Sequence, residues 1–461
     1  MRYVIAAATV AAVAAVAILI GCGSSGSSSS TGQATANVVL SDPATCQAPG
    51  GPFAHVYVTV TDVKASTSSS ASASGSGFVD LTPGLSSAPM QIDLLGQANN
   101  QCFLATLGST KQLPPGDYQQ IRVYLASDST SVPNNKCNNS ANCVVLSDGT
   151  VEPLELSSET QTGIKIPSGQ IASGGFNINS GQTKDLDINF NTCVSLVAEG
   201  NGKYRLKPVL HAGEVSTTST SINGTVLDSA TGNPVSGRVM VALEQKDSTG
   251  VDRIFMTTMA DSQGGFTFCP LPAGDYDMVI VAETNTGMAY APVVISGVSP
   301  GDTISTVHLN AAAAVPAATL SGMVTSQGTS SGVGVDVQLS FLEQVSSSMT
   351  VTMPLLPNAN QSSSMLSLST VAGSTCPGGT YCVSYSADMP AASAYVGAYA
   401  SSGIVLAQAG ASAYMADAIA FAPASGETLD CTPNEVRSTT AITPVAGSTT
   451  NVAALAFTGC Q

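Results

Sequence analysis

Hydrophobic positions in this chain recur at every second residue over short stretches. His55-Val-Tyr-Val-Thr-Val-Thr-Asp-Val63 alternates strictly, the pattern of a strand with one face buried. Shorter runs that read as strands follow at Phe78–Leu81, Met90–Leu95, Tyr118–Leu125, Gly163–Ile166, Phe176–Ile178, Leu186–Phe190 and Tyr204–Leu210. Gly, Pro, Asn, Asp and Ser separate them, the residues that set turns. Helical spacing is nearly missing beyond residue 20, so the pattern predicts an all-β fold.

The exception is the beginning of the chain. Arg2 precedes an unbroken apolar run, Tyr3 to Ile20, which ends in Leu19-Ile-Gly-Cys22. This stretch resembles a bacterial lipobox, in which a signal peptidase cuts before a cysteine that carries lipid. A retained transmembrane helix is the alternative, since about 18 apolar residues nearly span a bilayer. The Leu-x-Gly-Cys order and the flexible tail that begins at Gly23 favour cleavage. The reading is therefore a signal peptide over residues 1–21, a lipid on Cys22 and a Gly/Ser tether over 22–36. Gly23, in place of Asp, follows the cysteine, which by the sorting rule favours the outer membrane of a bacterial cell envelope.

Composition narrows the picture further. Val, Ile, Leu, Thr, Ser and Gly suit sheets and turns, Trp is absent, and only 10% of residues are charged. The net charge of −16 repels phosphate backbones, so nucleic acid is not expected as a partner. A chain of 461 residues has room for several domains. Ser216–Ser221 and Ala311–Ala318 lack any apolar period and read as linkers. They divide the mature chain into three β-sandwich units in tandem, 37–215, 222–312 and 318–461, expected to fold separately.

Two resemblances accompany this division. Ile92-Asp-Leu-Leu-Gly96, Leu113-Pro-Pro-Gly-Asp-Tyr-Gln-Gln-Ile-Arg122, Thr162-Gly-Ile-Lys-Ile-Pro167, Gly181-Gln-Thr-Lys-Asp-Leu-Asp-Ile-Asn-Phe190 and Gly200-Asn-Gly-Lys-Tyr-Arg-Leu-Lys-Pro-Val-Leu210 resemble domain of unknown function family 4382. That family occurs in exported bacterial lipoproteins, and the resemblance implies location and fold more than activity. Gly224-Thr-Val-Leu-Asp228, Asp261-Ser-Gln-Gly-Gly-Phe-Thr-Phe268 and Leu271-Pro-Ala-Gly-Asp-Tyr276 resemble the carboxypeptidase regulatory-like, transthyretin-like β-sandwich. No zinc ligands accompany the motif, so the name of that fold implies no peptidase here. The third unit reads as a diverged copy of the second, with Pro377-Gly-Gly-Thr-Tyr381 standing where Pro272-Ala-Gly-Asp-Tyr276 stands.

Of eleven cysteines, Cys22 is assigned to lipid and the remainder is even, which in an oxidising compartment reads as disulfides. Nearness in sequence pairs Cys137 with Cys143, Cys376 with Cys382 and Cys431 with Cys460. Relatives of the first resembled family place cysteines at positions like Cys46 and Cys193, which implies that pair. Cys102 and Cys269 then either bridge the first and second units or remain thiols, Cys269 beside Phe268 serving as a small buried apolar residue.

Candidate chemistry is sparse. Asp185, Asp187, Asn189 and Asn191 alternate with Leu186, Ile188 and Phe190, so the polar set shares one strand face. A solvated face is the expectation and a calcium site the alternative, because a flat strand is not a wrapped ligand loop. His55, His211 and His308 stand far apart in strand-like runs, and no Gly-x-Ser-x-Gly elbow accompanies them. No catalytic, cofactor or metal residue is assigned. Tyr395, Tyr399 and Tyr414 offer a sugar-stacking platform or, as the simpler reading, core and interface packing.

These features point to a non-enzymatic, membrane-tethered lipoprotein presenting β-sandwich surfaces for adhesion, envelope assembly or ligand capture, with a protein or glycan as ligand. The alternative is an accessory lipoprotein for carbohydrate or peptide processing whose catalytic chemistry lies in a partner. If Cys22 carries the lipid, Cys22→Ser should leave the protein uncleaved or release it from membranes. Mass spectrometry of the wild-type protein retaining Tyr3–Ile20 would contradict the assignment.

Overall fold

The structure is a computed structural model that describes residues 32–42, 53–69, 71–72, 75–96, 105–156, 162–198, 203–206, 210–215, 221–329, 331–356, 364–421 and 431–460. Residues 1–31, with the expected signal segment and Cys22, lie outside the described residues, as do Cys46, Cys102 and 216–220. Among the described residues the chain is nearly all strand, with one four-residue α-helix, Thr192–Ser195, and three short 3-10 turns.

The first unit is a sandwich of two sheets. A four-stranded sheet runs in the order Leu210–Val215, Thr183–Phe190, Ala34–Ser41, Ala105–Leu113. Ala34–Ser41 lies parallel to Thr183–Phe190 and antiparallel to Ala105–Leu113. The facing sheet is built around the long strand Phe53–Ser66, which pairs with Gln120–Leu125 on one side and Cys143–Leu146 on the other. Alternation sends Val38 and Leu40, Leu186, Ile188 and Phe190, and Val56, Val58 and Val60 into one core. Tyr118 locks the turn before its strand, its hydroxyl donating to the Pro114 carbonyl at 2.7 Å.

The second and third units do not close as separate sandwiches, contrary to the sequence expectation. One sheet runs through both. Val293–Val298, Tyr276–Thr284, Gly237–Lys246 and Val251–Met259 come from the second unit, and Met349–Met353, Asp336–Ser346 and Tyr414–Phe421 continue it from the third. At its other end Tyr395–Ala398, a strand of the third unit, lies parallel to Val293–Val298 of the second. The stretch Ala311–Ala318, read as a linker, holds the 3-10 turn Ala311–Ala313 and a short strand, Val315–Pro316, paired with Met288–Ala289.

The physical reason is two-sided burial. Val239, Val241 and Leu243 face a core with Phe266 and Phe268 of the second unit's small three-stranded sheet and with Ile304 from the loop before its strand Val307–Leu309. Met240, Ala242, Val279, Val281 and Val294 face the opposite way, into a core with Leu320, Val324, Phe341 and Tyr385 of the third unit. Three layers result, with the shared sheet in the middle, and a strand buried on both faces carries a continuous apolar run in place of alternation.

Charge reinforces the joint. Arg253 of the second unit contacts Asp417 through Nη1, Glu435 through Nη2 at 2.9 Å and Asp247 through Nε at 2.9 Å. Arg437 reaches the same Asp417 and Glu435 at 2.8 and 2.5 Å. Nearby, the buried Glu244 accepts from the Thr352 backbone N–H at 3.0 Å, a second polar contact between these units.

Two predictions follow from the shared layer. A fragment ending at Ala312 uncovers Met240, Ala242, Val279, Val281 and Val294, a loss of burial on the order of 6 kcal/mol, comparable to the stability of a whole domain. It should aggregate or bind a hydrophobic dye where the full chain does neither; a monomeric, dye-silent fragment would show that the second unit seals itself. Glu343, buried in the third unit, has its carboxyl pushed up to about 7 by that burial, against hydrogen bonding from Ala413. The folded state therefore holds its proton where the unfolded chain has lost it, and stability falls as pH rises from about 4.5 to about 7. Glu343→Gln should gain roughly 2–3 kcal/mol over wild type at pH 8 and nothing at pH 4 in denaturant titrations.

Candidate functional site

The polar row read from the sequence is real, but it is not solvated. Asp187 and Asn189 are 2% exposed and Asn191 1%, while Asp185 is half-buried. The strand Thr183–Phe190 buries its apolar face in the first unit's core and turns its polar face toward the second unit. The contact is close. A Cβ at Gly213 would collide with Pro272 and with Ala172, so only glycine permits the turn after Leu271 to sit there.

Register assembles the row with residues distant in sequence. Ser41 and His211 both pair with Asn189, one from each neighbouring strand. The Ser41 hydroxyl donates to Asp187 Oδ2 at 2.8 Å and accepts from Asn189 Nδ2 at 3.1 Å. Asn191 Nδ2 donates to Thr257 Oγ1 of the second unit at 2.7 Å, and the His211 ring packs 5.2 Å from that of Phe255. His211 donates to the Ile254 backbone carbonyl, and burial holds it neutral, its pKa lowered to about 4. Burial likewise raises the Asp187 carboxyl well above the usual carboxylate range. His211 was legible only as a strand residue; the pairing with Asn189 is a property of the folded sheet.

A second polar group is exposed. His55 Nδ1 lies 2.6 Å from Asp93 Oδ2, and the His55 ring stacks on Tyr57 with centroids 5.5 Å apart. Asp93 Oδ1 accepts from the backbone N–H groups of Val56 and Leu95, which fixes the carboxylate. Farther along the same sheet Lys64 sits 5.0 Å from the Tyr124 ring centroid. This face presents aromatic rings with polar edges, the kind of surface that takes sugars or extended peptides.

The tyrosines of the third unit do not form a common platform. Tyr414 is fully buried and donates to the Pro390 carbonyl at 2.8 Å. Tyr395 and Tyr399 pack against the second unit's core, and Tyr395 Oη accepts from Asn310 Nδ2 at 2.9 Å. His308 is exposed on the short strand Val307–Leu309.

Disulfides join Cys137 to Cys143, Cys376 to Cys382 and Cys431 to Cys460. Cys269 is buried and disulfide-bonded as well. The side chain of Cys193, like Cys46 and Cys102, lies outside the described residues.

No curated protein sequence matches the chain. Among solved structures, the Bacillus anthracis TIE protein aligns with 92% of this chain and 50% of its own at 10% identity, TM-score 0.17. A leucine-rich repeat protein from Bacteroides thetaiotaomicron aligns with 52% of this chain and 27% of its own at 12% identity, TM-score 0.21. The chain thus spans half of the first protein and about a quarter of the second. The minor pilin GBS52 of Streptococcus agalactiae is covered over 96% of its length by 52% of this chain, at 11% identity and TM-score 0.17. Residues 33–208, the first sandwich unit, match the family model described as Domain of unknown function (DUF4382).

Proposed function

We propose that this chain is a non-enzymatic, lipid-anchored protein of a bacterial cell envelope that holds a binding face away from the membrane on a braced β-stack. The observation that carries the reading is continuity. The second and third units share one sheet, and the Arg253 network ties them together. Shared sheets and ion-pair networks suppress the relative domain motion that short linkers would allow. Cys22 supplies the anchor and the Gly/Ser stretch after it the tether. His55, Tyr57 and Asp93 on the first unit supply the best-defined contact surface, suited to a glycan or an extended peptide.

The test uses the mature chain on immobilised glycans and envelope-derived peptides. A ligand whose affinity falls at least about tenfold in His55→Ala/Tyr57→Ala, with thermal stability unchanged, supports the proposal. Binding that persists undiminished in the double variant removes this face from the reading, and chemical conversion of the captured ligand by the protein alone would overturn the non-enzymatic assignment.

A further inference from the structure

We infer that Asp187, Asn189 and His211 form a site for one divalent transition-metal ion, of the zinc or manganese class, sealed between the first and second units. Asp187 and Asn189 are two residues apart on one strand and therefore share a face. Asn189 and His211 are direct cross-strand partners. Neighbours of this kind place their Cβ atoms about 5–7 Å apart, a span that one ion with bonds of about 2.1 Å bridges.

Each of the three side chains is 2% exposed, and each has one atom without a partner: Asp187 Oδ1, Asn189 Oδ1 and His211 Nδ1. With Asp187 in its charged form, which a bound cation favours against the burial that raises its pKa, all three are lone-pair atoms. Buried acceptors with no donor among them each cost on the order of 1–3 kcal/mol, and one cation satisfies them together.

The other polar atoms of the three are already held in the manner of a metal site's outer contacts. Ser41 Oγ fixes both Asp187 Oδ2 and the Asn189 amide, which leaves the amide oxygen free. His211 bonds the Ile254 carbonyl, and since Nδ1 is unpartnered, the donor is Nε2–H. A ring that gives one N–H to a backbone carbonyl presents the lone pair of its other nitrogen, the usual arrangement of a metal-binding histidine.

The neighbouring polar residues belong elsewhere. Asp185 Oδ1 accepts from Asn37 Nδ2 at 2.7 Å, and Asn191 stands about 13 Å along the strand from Asp187, where it bonds Thr257. Among the described residues no group of three or more His, Cys, Asp or Glu is placed to hold a metal ion. The site inferred here has two such residues and takes an amide oxygen as its third donor, with water completing the coordination. An imidazole nitrogen beside two oxygens suits a borderline ion better than calcium, which prefers oxygen alone. Phe255 and the Leu271-Pro272 turn of the second unit pack over the site, whose three ligands all come from the first unit, so the ion loads before or as the units dock.

The experiment measures metal in the untagged mature chain, produced in medium supplied with zinc and manganese, dialysed and released by acid. About one ion per chain is expected, kept in His55→Ala and His308→Ala and lost in His211→Gln. Ser41→Ala should weaken binding about 10- to 100-fold, and a cobalt-loaded chain should show a visible absorption band that His211→Gln abolishes. Folded wild-type protein holding no stoichiometric metal would overturn the inference and leave ordered water as the partner of these atoms. Metal retained in full by His211→Gln would overturn it equally. Should that variant fail to fold, the wild-type metal content decides alone.

Discussion

The structure depends on a sheet that has no solvent face at its centre. Gly237–Lys246 and Tyr276–Thr284 bury alternate side chains in opposite directions, one set under the second unit's small sheet and the other under the third unit. Hydrophobic burial is proportional to area removed from water, and neither cover alone removes both faces. The third unit is therefore part of the second unit's fold. Its strand Tyr395–Ala398 crosses back to extend the same sheet, where Ile404 and Leu406 help to cover the core.

Burial on this scale brings polar groups inside, and the chain handles them by pairing. Arg437 is the one basic residue beyond Ala313, and it sits in the network that joins Arg253 to Asp417 and Glu435. Asp417 is wholly buried, a position that a carboxylate holds only with matched charges and hydrogen bonds around it. At the other joint the polar face of Thr183–Phe190 meets the second unit with its hydrogen bonds shared among Ser41, Asn189 and Thr257. Both joints thus combine apolar layers with a buried polar group whose geometry fixes how the units meet.

A shared sheet and buried polar joints oppose flexing between the units. Cystines reinforce the same design at smaller scale: Cys376–Cys382 clamps the turn before Tyr381–Met389, and Cys431–Cys460 secures the C-terminus. Beside these braces the His55–Tyr57–Asp93 group stands out as exposed, aromatic and polar, held by backbone contacts to Asp93.

Much of this was written locally in the sequence. Alternation in His55–Val63 and in Leu186–Phe190 specified strands and their buried faces, because the period of two is a property of the backbone alone. Pro-x-Gly-Asp-Tyr turns, short cysteine spacings and the all-β class were legible for the same reason: each rests on residues within reach of one another along the chain. The run Val239-Met-Val-Ala-Leu243 carried a further signal, since a strand that stays apolar at every position is covered on both sides, but the run names no cover. What lay on the far side of each sheet was decided only by the fold. The polar face of Asp187 and Asn189 reads as solvated until the second unit is laid over it, and His211 joins it only through strand register. Pairing across more than twenty residues of intervening chain leaves no mark on either partner's neighbours, so composition and period fixed the strands while tertiary packing alone chose their partners.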